Sequence, residues 1–294
     1  MSRPPPPAHA PDAVHALVAG HYERPDLERA ILDALASAGK DPDRLTAADL
    51  APVDEFHTGG RPATLEFAQA IGATQDMHLL DVGSGIGGPS RVFASRYGCR
   101  VTGIDLTEDY VRTATALAAR VGLGDLVAYR HASAVDLPFA PGSFDGAYMM
   151  HVGMNIQDKA ALCREVRRVL RPAGVFAIYD LMRTGEGDVR FPVPWAATAA
   201  TSFLADPGEY RRALVQAGFA VVGERNRRDF VLDQFSRIAA REAQDDAHGE
   251  VRPLGIHILM KSDAAEKRGN VRHAIEAGVI APVEMICRRN ASSA

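Results

Sequence analysis

One short stretch constrains this chain more than any other. It is Asp81-Val82-Gly83-Ser84-Gly85-Ile86-Gly87-Gly88, directly after the apolar run Leu79-Leu80. So many glycines cannot continue a strand, and Pro89 behind them suits the first turn of a helix. The stretch therefore predicts a strand, a tight turn and a helix. In an open parallel sheet, such a turn lies at the carboxyl ends of the strands, where ligands bind. Gly83 and Gly85 permit the turn, and Gly88 permits a close approach.

The rest of the chain repeats the alternation. Strands are expected at residues 78–82, 99–104, 126–130, 144–150 and 175–179, one more from Phe219, and a last one at 283–288. Helices are expected between them, with Thr107 as a cap for the one after Asp105. Strands alternating with helices argue for an α/β, doubly wound sheet. Residues 1–15, with Pro4 to Pro7, read as a disordered tail, and 16–75 as a helical N-terminal annex or lid. Residues 25–38 there carry Leu27, Ile31 and Leu35 at helical spacing. Residues 76–294 form the main domain, with cover segments at 183–206 and 230–280 that could close the ligand edge.

Composition excludes several classes. The 294 residues are 47% hydrophobic and 24% charged, an ordinary globular balance. Net charge is -4 with no basic stripe, so a nucleic-acid partner is not expected. No apolar run reaches the roughly 18 residues of a membrane span, and the tail lacks a targeting core. Cys99, Cys163 and Cys287 lie far apart, as in a reduced, cytoplasmic protein. The histidines show no spacing for a metal site.

The charge of Asp81 discriminates between ligands. The glycines also satisfy the dinucleotide pattern G-x-G-x-x-G. A carboxylate before the first glycine would repel a pyrophosphate by about 1–4 kcal/mol at about 4 Å. S-adenosyl-L-methionine offers an ammonium and a sulfonium instead, which an acid favours. Asp105, ending the second strand, is placed for ribose hydroxyls under either reading.

The residues Leu79 to Gly88 resemble motif I of the class I S-adenosylmethionine-dependent methyltransferases. Asp136-Leu137-Pro138-Phe139, Ser143-Phe144-Asp145 and Leu170-Arg171-Pro172-Ala173-Gly174 resemble that family's later motifs, in order. The likeness runs from about Phe56 to Tyr179. It is similar in feel to bacterial sarcosine/dimethylglycine methyltransferases and quinone-biosynthesis C-methyltransferases. The resemblance implies a Rossmann-like, mostly parallel seven-stranded sheet with an antiparallel last strand. It implies that Asp81, Gly83, Ser84 and Gly85 meet the methionine end, Asp105 the ribose and Leu106 the adenine. Ser133 and Ala134 would meet the adenine edge, although the family usually carries an acid where Ser133 stands. Thr58 and Gly59 match a Gly-Gly element that approaches the cofactor, and Met150 stands beside it at the end of strand four. The product would be S-adenosyl-L-homocysteine.

The acceptor side is read from residues near that strand end. The methyl comes activated, so a positioned nucleophile and, where needed, a base suffice. His151 is the first choice of base, with Asn155 to orient the substrate and Tyr22 as part of a lid. His57 and Trp195 are expected to wall the substrate pocket. A compact small molecule fits a covered pocket, with an amine slightly favoured over oxygen or carbon. A homodimer is left open. The rival readings are an NAD(P)-dependent oxidoreductase and a non-catalytic S-adenosylmethionine-binding protein.

Overall fold

The computed structural model describes residues 11–248, 254–260 and 262–290. Ten residues of the expected tail, 1–10, lie outside the described residues. From Pro11 the chain is helical, so helix starts within the stretch expected as tail.

The strands are β1 His78–Val82, β2 Arg100–Asp105, β3 Val127–His131, β4 Phe144–Met150, β5 Leu170–Arg183, β6 Phe219–Asn226 and β7 Ile280–Arg289. They make one seven-stranded sheet in the order β3-β2-β1-β4-β5-β7-β6. The pairs among β1 to β5 are parallel, and β7 runs antiparallel to both β5 and β6. The strand order reverses between β1 and β4. That switch point, at the carboxyl ends of β1, β2 and β4, is where a ligand fits such a sheet.

The helices on one face are α4 Gly60–Ile71, α5 Gly88–Tyr97 and α6 Glu108–Arg120. They bury Phe67, Ile71, Phe93 and Ala118 against Leu79, Tyr148 and Tyr179 of the sheet. On the other face, α7 Lys159–Val169 and α8 Pro207–Gln216 bury Leu162, Val166 and Leu214 against Leu80, Phe176 and Ile178. Both start at an acid. Asp158 accepts from the Ala161 amide at 2.7 Å and Asp206 from the Glu209 amide at 2.9 Å. Such a cap is worth about 1 kcal/mol.

The annex comprises α1 Pro11–Tyr22, α2 Leu27–Ser37 and α3 Ala47–Asp54. The predicted stripe of α2, Leu27, Ile31 and Leu35, is fully buried. Each such side chain contributes about 1.5–3 kcal/mol. Their partners include Ile86 of the glycine turn and Tyr110 and Leu117 of α6. The annex is thus packed onto the ligand edge itself. Two further helices, α9 Arg228–His248 and α10 Ala264–Glu276, precede β7 and pack around Trp195.

Two local expectations are corrected. Thr107 holds the N-cap position of α6, but its side chain makes no cap bond. Its amide donates to Asp105 instead, at 2.9 Å. The fifth strand is longer than residues 175–179, because it begins at Leu170. Ala173 takes a left-handed φ of 60°, and the ladder with β4 shifts register between Phe144 and Gly146. The Pro172 turn is therefore absorbed as an irregularity inside the strand.

Candidate functional site

A cavity of about 800 Å³ lies over the switch point. Its floor is the glycine turn, with Asp81, Gly83, Ser84 and Gly85, and the end of β2, with Asp105 and Leu106. Ser133, Ala134 and Met150 line it as well. The roof is the annex, through Val14, His15, Val18, Tyr22, Phe56 and His57.

The turn is shaped by near contacts. Gly83 has φ 73°, and a Cβ there would lie 2.5 Å from Val152. The close approach at Gly88 is to protein rather than ligand. A Cβ there would lie 2.0 Å from the Asp54 carbonyl oxygen of α3. At Gly85 a Cβ would meet nothing within 4 Å, so that side faces open space.

The two acids are held differently. Asp81 is 2% exposed, and its Oδ2 accepts from Ser90 at 2.6 Å and Tyr148 at 3.0 Å. Tyr148 is itself fixed by stacking on Phe93 at 4.4 Å. Burial pushes the Asp81 carboxyl up to about 7, against those two hydrogen bonds. Asp105 accepts from the Gly85 amide at 2.8 Å and the Thr107 amide at 2.9 Å, one on each oxygen. Burial raises its pKa too.

The residues fit S-adenosylmethionine. Ser84 Oγ and Tyr110 Oη are buried side-chain oxygens with no hydrogen-bond partner, and both residues line the cavity. Unpaired buried donors cost free energy unless a ligand satisfies them. Asp105 keeps lone pairs for ribose hydroxyls. Asp81 presents the negative charge that an ammonium and a sulfonium favour. Ser133 Oγ accepts from the Val135 amide at 3.3 Å, so it shapes its own loop as well as lining the cavity.

The acceptor-side residues are more tied up than their types suggested. His151 has the left-handed φ of 57°. Its Nδ1 lies 3.3 Å from the Tyr179 carbonyl, and its Nε2 lies 2.9 Å from Thr58 Oγ1 and accepts from the Thr58 amide. This pattern requires the proton on Nδ1. Burial and the neighbouring His57 push the ring down to about 3. Both nitrogens of the expected base are therefore occupied.

Asn155 is occupied too. It accepts from the Tyr22 hydroxyl at 2.9 Å and donates to the Trp195 carbonyl at 2.8 Å. One amide thus joins the roof to the segment after β5. His21 adds a bond to the Pro194 carbonyl at 2.9 Å.

Three expected positions fall behind the wall instead of on it. Thr58 spends its amide and hydroxyl on His151, and its carbonyl accepts from Tyr179 at 3.1 Å. Gly59 is packed so closely that a Cβ would lie 2.8 Å from Phe230. Trp195 is 3% exposed and donates to Ser202 Oγ, which makes it core. Among the described residues, segments 183–206 and 230–280 support the wall and do not line the cavity.

Sequence reasoning missed Arg91 and Glu55. Arg91 is 1% exposed and donates to Asp54 at 2.8 Å. Glu55 accepts from Thr64 at 2.6 Å, beside His57. Neither was singled out from the sequence. No local signal marks the long-range burial that changes their role.

Comparison with known proteins agrees with this geometry. Residues 80–178 match the family model described as methyltransferase domain. An O-methyltransferase of Aspergillus sclerotiorum is 32% identical over 173 residues, 57% of this chain and 64% of that protein. The chain spans between 32% and 64% of the length of the first curated relatives it matches. Among solved structures, geranyl diphosphate C-methyltransferase from Streptomyces coelicolor A3(2), in a complex that includes S-adenosyl-L-homocysteine, has a TM-score of 0.66. It is 17% identical, with 96% of this chain and 100% of that one covered. The cyclase SpnF has a TM-score of 0.64 at 21% identity, with 94% and 96% covered. Residues 80–178 thus carry a methyltransferase domain, on a fold and a site like those of class I S-adenosylmethionine-dependent methyltransferases. In this chain that domain carries its own helical roof.

Proposed function

We propose that this chain transfers a methyl group from S-adenosylmethionine to a small molecule enclosed under the annex. The carrying observation is that the cofactor acids and the roof residues share one chamber. The cofactor supplies an activated methyl on positive sulfur. The protein holds the ribose and methionine ends through Asp105 and the glycine turn, positions the acceptor, and excludes water.

We further propose a neutral acceptor, in place of the amine slightly favoured from the sequence. A cationic amine needs a free carboxylate nearby. Asp54 is paired with Arg91, and Asp158 caps α7. Asp81 and Asp105 belong to the cofactor. Glu209 lines the cavity from an exposed position on α8, where its charge acts on Lys159. The roof offers Val14, Val18, Phe56 and Tyr110, with neutral His57 and Tyr22.

Calorimetry tests the first reading. S-adenosylhomocysteine is expected to bind in the micromolar range, and NAD not at all. NAD binding without S-adenosylhomocysteine binding sinks it.

A further inference from the structure

His57 stands in a setting that no other roof residue shares. It is buried beside Glu55, with Nε2 3.6 Å from Glu55 Oε2. Nε2 also lies 3.2 Å from the Gly60 carbonyl and 3.1 Å from Thr64 Oγ1. A carbonyl can only accept, so Nε2 carries the proton. Thr64 sends its own proton to Glu55 at 2.6 Å, which leaves its oxygen free to accept from His57. Nδ1 is then the bare nitrogen. No hydrogen bond engages it among the described residues, and His57 lines the cavity. The geometry is that of an imidazole whose protonated nitrogen is held by Gly60 and Thr64 beside a carboxyl group, while its other nitrogen is bare in a residue that lines the cavity.

Two alternatives are excluded by their partners. His151 has both nitrogens bonded. The Tyr22 hydroxyl donates to Asn155, and burial holds its pKa well above the ordinary value. The rings of His57 and His151 are 6.0 Å apart, so His57 lies beside the end of β4.

We propose that His57 Nδ1 is the proton acceptor for a hydroxyl group, with Glu55 and Thr64 as positioning residues, and that the acceptor is a neutral phenol or enol. This rests on the methyl-transfer reading above. In the step, the O–H bond breaks and its proton passes to His57 Nδ1. The oxygen's electron pair forms the new O–CH₃ bond. The pair of the broken C–S bond stays on sulfur. The positive charge on the ring is then met by the Glu55 carboxyl group. An acidic hydroxyl suits this base, because burial lowers the His57 ring to about 4 and a weak base needs a ready proton. Glu55 is raised by burial and by Asp54. A positive ring beside it favours its ionised form. The apolar roof accepts a flat carbon skeleton.

The test has a spectroscopic arm and a transfer arm. Histidine is labelled with nitrogen-15 in protein saturated with S-adenosylhomocysteine, and His57 is assigned by its loss in His57→Gln. A protonated Nε2 with a bare Nδ1 supports the proposal, and the reverse tautomer overturns it. Labelled methyl transfer is then followed to substituted phenols of falling pKa, to enolic diketones and to matched primary amines. Transfer to hydroxyl compounds is expected. His57→Gln should lower it about 100-fold or more, with S-adenosylhomocysteine affinity within about threefold. That loss should shrink for phenols already ionised at the assay pH.

Glu55→Gln should displace the acid limb of the pH profile, while Glu55→Asp restores part of the rate. His57 is faced by Glu55, His151 and Tyr179, and Glu55 by Asp54, Arg61 and Arg91, so these groups are left intact. An unmoved limb overturns the role of Glu55. Preference for amines, an equal loss for every phenol, or no transfer to the panel by protein that binds S-adenosylhomocysteine overturns the proposal. Failure to bind S-adenosylhomocysteine instead overturns the reading beneath it.

Discussion

Arg91 of α5 donates to Asp54 of α3 at 2.8 Å, with both side chains buried. The bond ties the annex to the helix that the glycine turn begins. It lies where Gly88 lets the α3 backbone come close. Arg91 Nε and Nη1 have no other partner. The ion pair is therefore the main compensation for a buried charge, and it couples the roof to the floor.

Asp54→Asn should consequently be costly. Removing one member of a buried pair leaves the other charge uncompensated, which costs about 3–5 kcal/mol. Urea unfolding is expected to show a loss of that size, with weaker S-adenosylhomocysteine binding because the glycine turn loosens. A loss under about 1 kcal/mol would show that Arg91 finds another anion.

Cofactor affinity should depend on pH through Asp81. Its carboxyl is raised by burial to about 7, with Ser90 and Tyr148 as donors and Asp105 and Arg91 as nearby charges. A cationic ligand favours the ionised acid, so the bound pKa is lower than the free one. Affinity is then full above about pH 7 and falls as pH drops below it. The fall approaches tenfold per unit until the bound pKa is reached. Calorimetry near pH 7 in buffers of different ionisation enthalpy should register proton release. Asp81→Asn should weaken binding at least about tenfold at pH 8 and flatten the profile. An unchanged profile would remove Asp81 from the site.

The lid rests on one hydrogen bond that can be cut without altering shape. Tyr22→Phe removes the bond to Asn155 Oδ1, worth about 0.5–1.5 kcal/mol. Amide exchange across α1 should accelerate up to about tenfold, while exchange in β1 and β4 stays the same. Equal protection in both proteins would mean that His21 and the apolar contacts of α1 hold the roof alone.

Much of the fold was legible, because its signals are local. β1 and β4 lie where glycines and apolar runs predicted them, and the α2 stripe is the buried face. The floor of the cavity was legible for the same reason, since Asp81 stands next to last in β1 and Asp105 ends β2. The roof was not. Thr58, Gly59 and Trp195 have suitable residue types, but they pack against distant segments. Nothing in the sequence near Arg91 marks its burial, which comes from Asp54 of the distant α3. Thr107 holds the cap position without a side-chain cap bond, and the amide of Tyr110 bonds its backbone carbonyl instead.

His151 illustrates the same limit and gives the last prediction. Its type and position suggested a base, but its contacts describe a brace. Nδ1 meets the Tyr179 carbonyl, Nε2 accepts from Thr58, and its amide donates to Tyr179 at 2.8 Å. The left-handed φ of 57° fixes the chain where β4 ends. Asparagine tolerates that conformation better than most residues. His151→Asn should therefore keep the backbone while losing the bridge to Thr58, and with it the placement of His57 next in the chain. The rate should fall, and the ionisation governing the pH profile should stay that of His57, faced by Glu55 and Tyr179. Steady-state rates from pH 5 to 9 in the variant would decide. Loss of the acid limb in His151→Asn would return the base to His151.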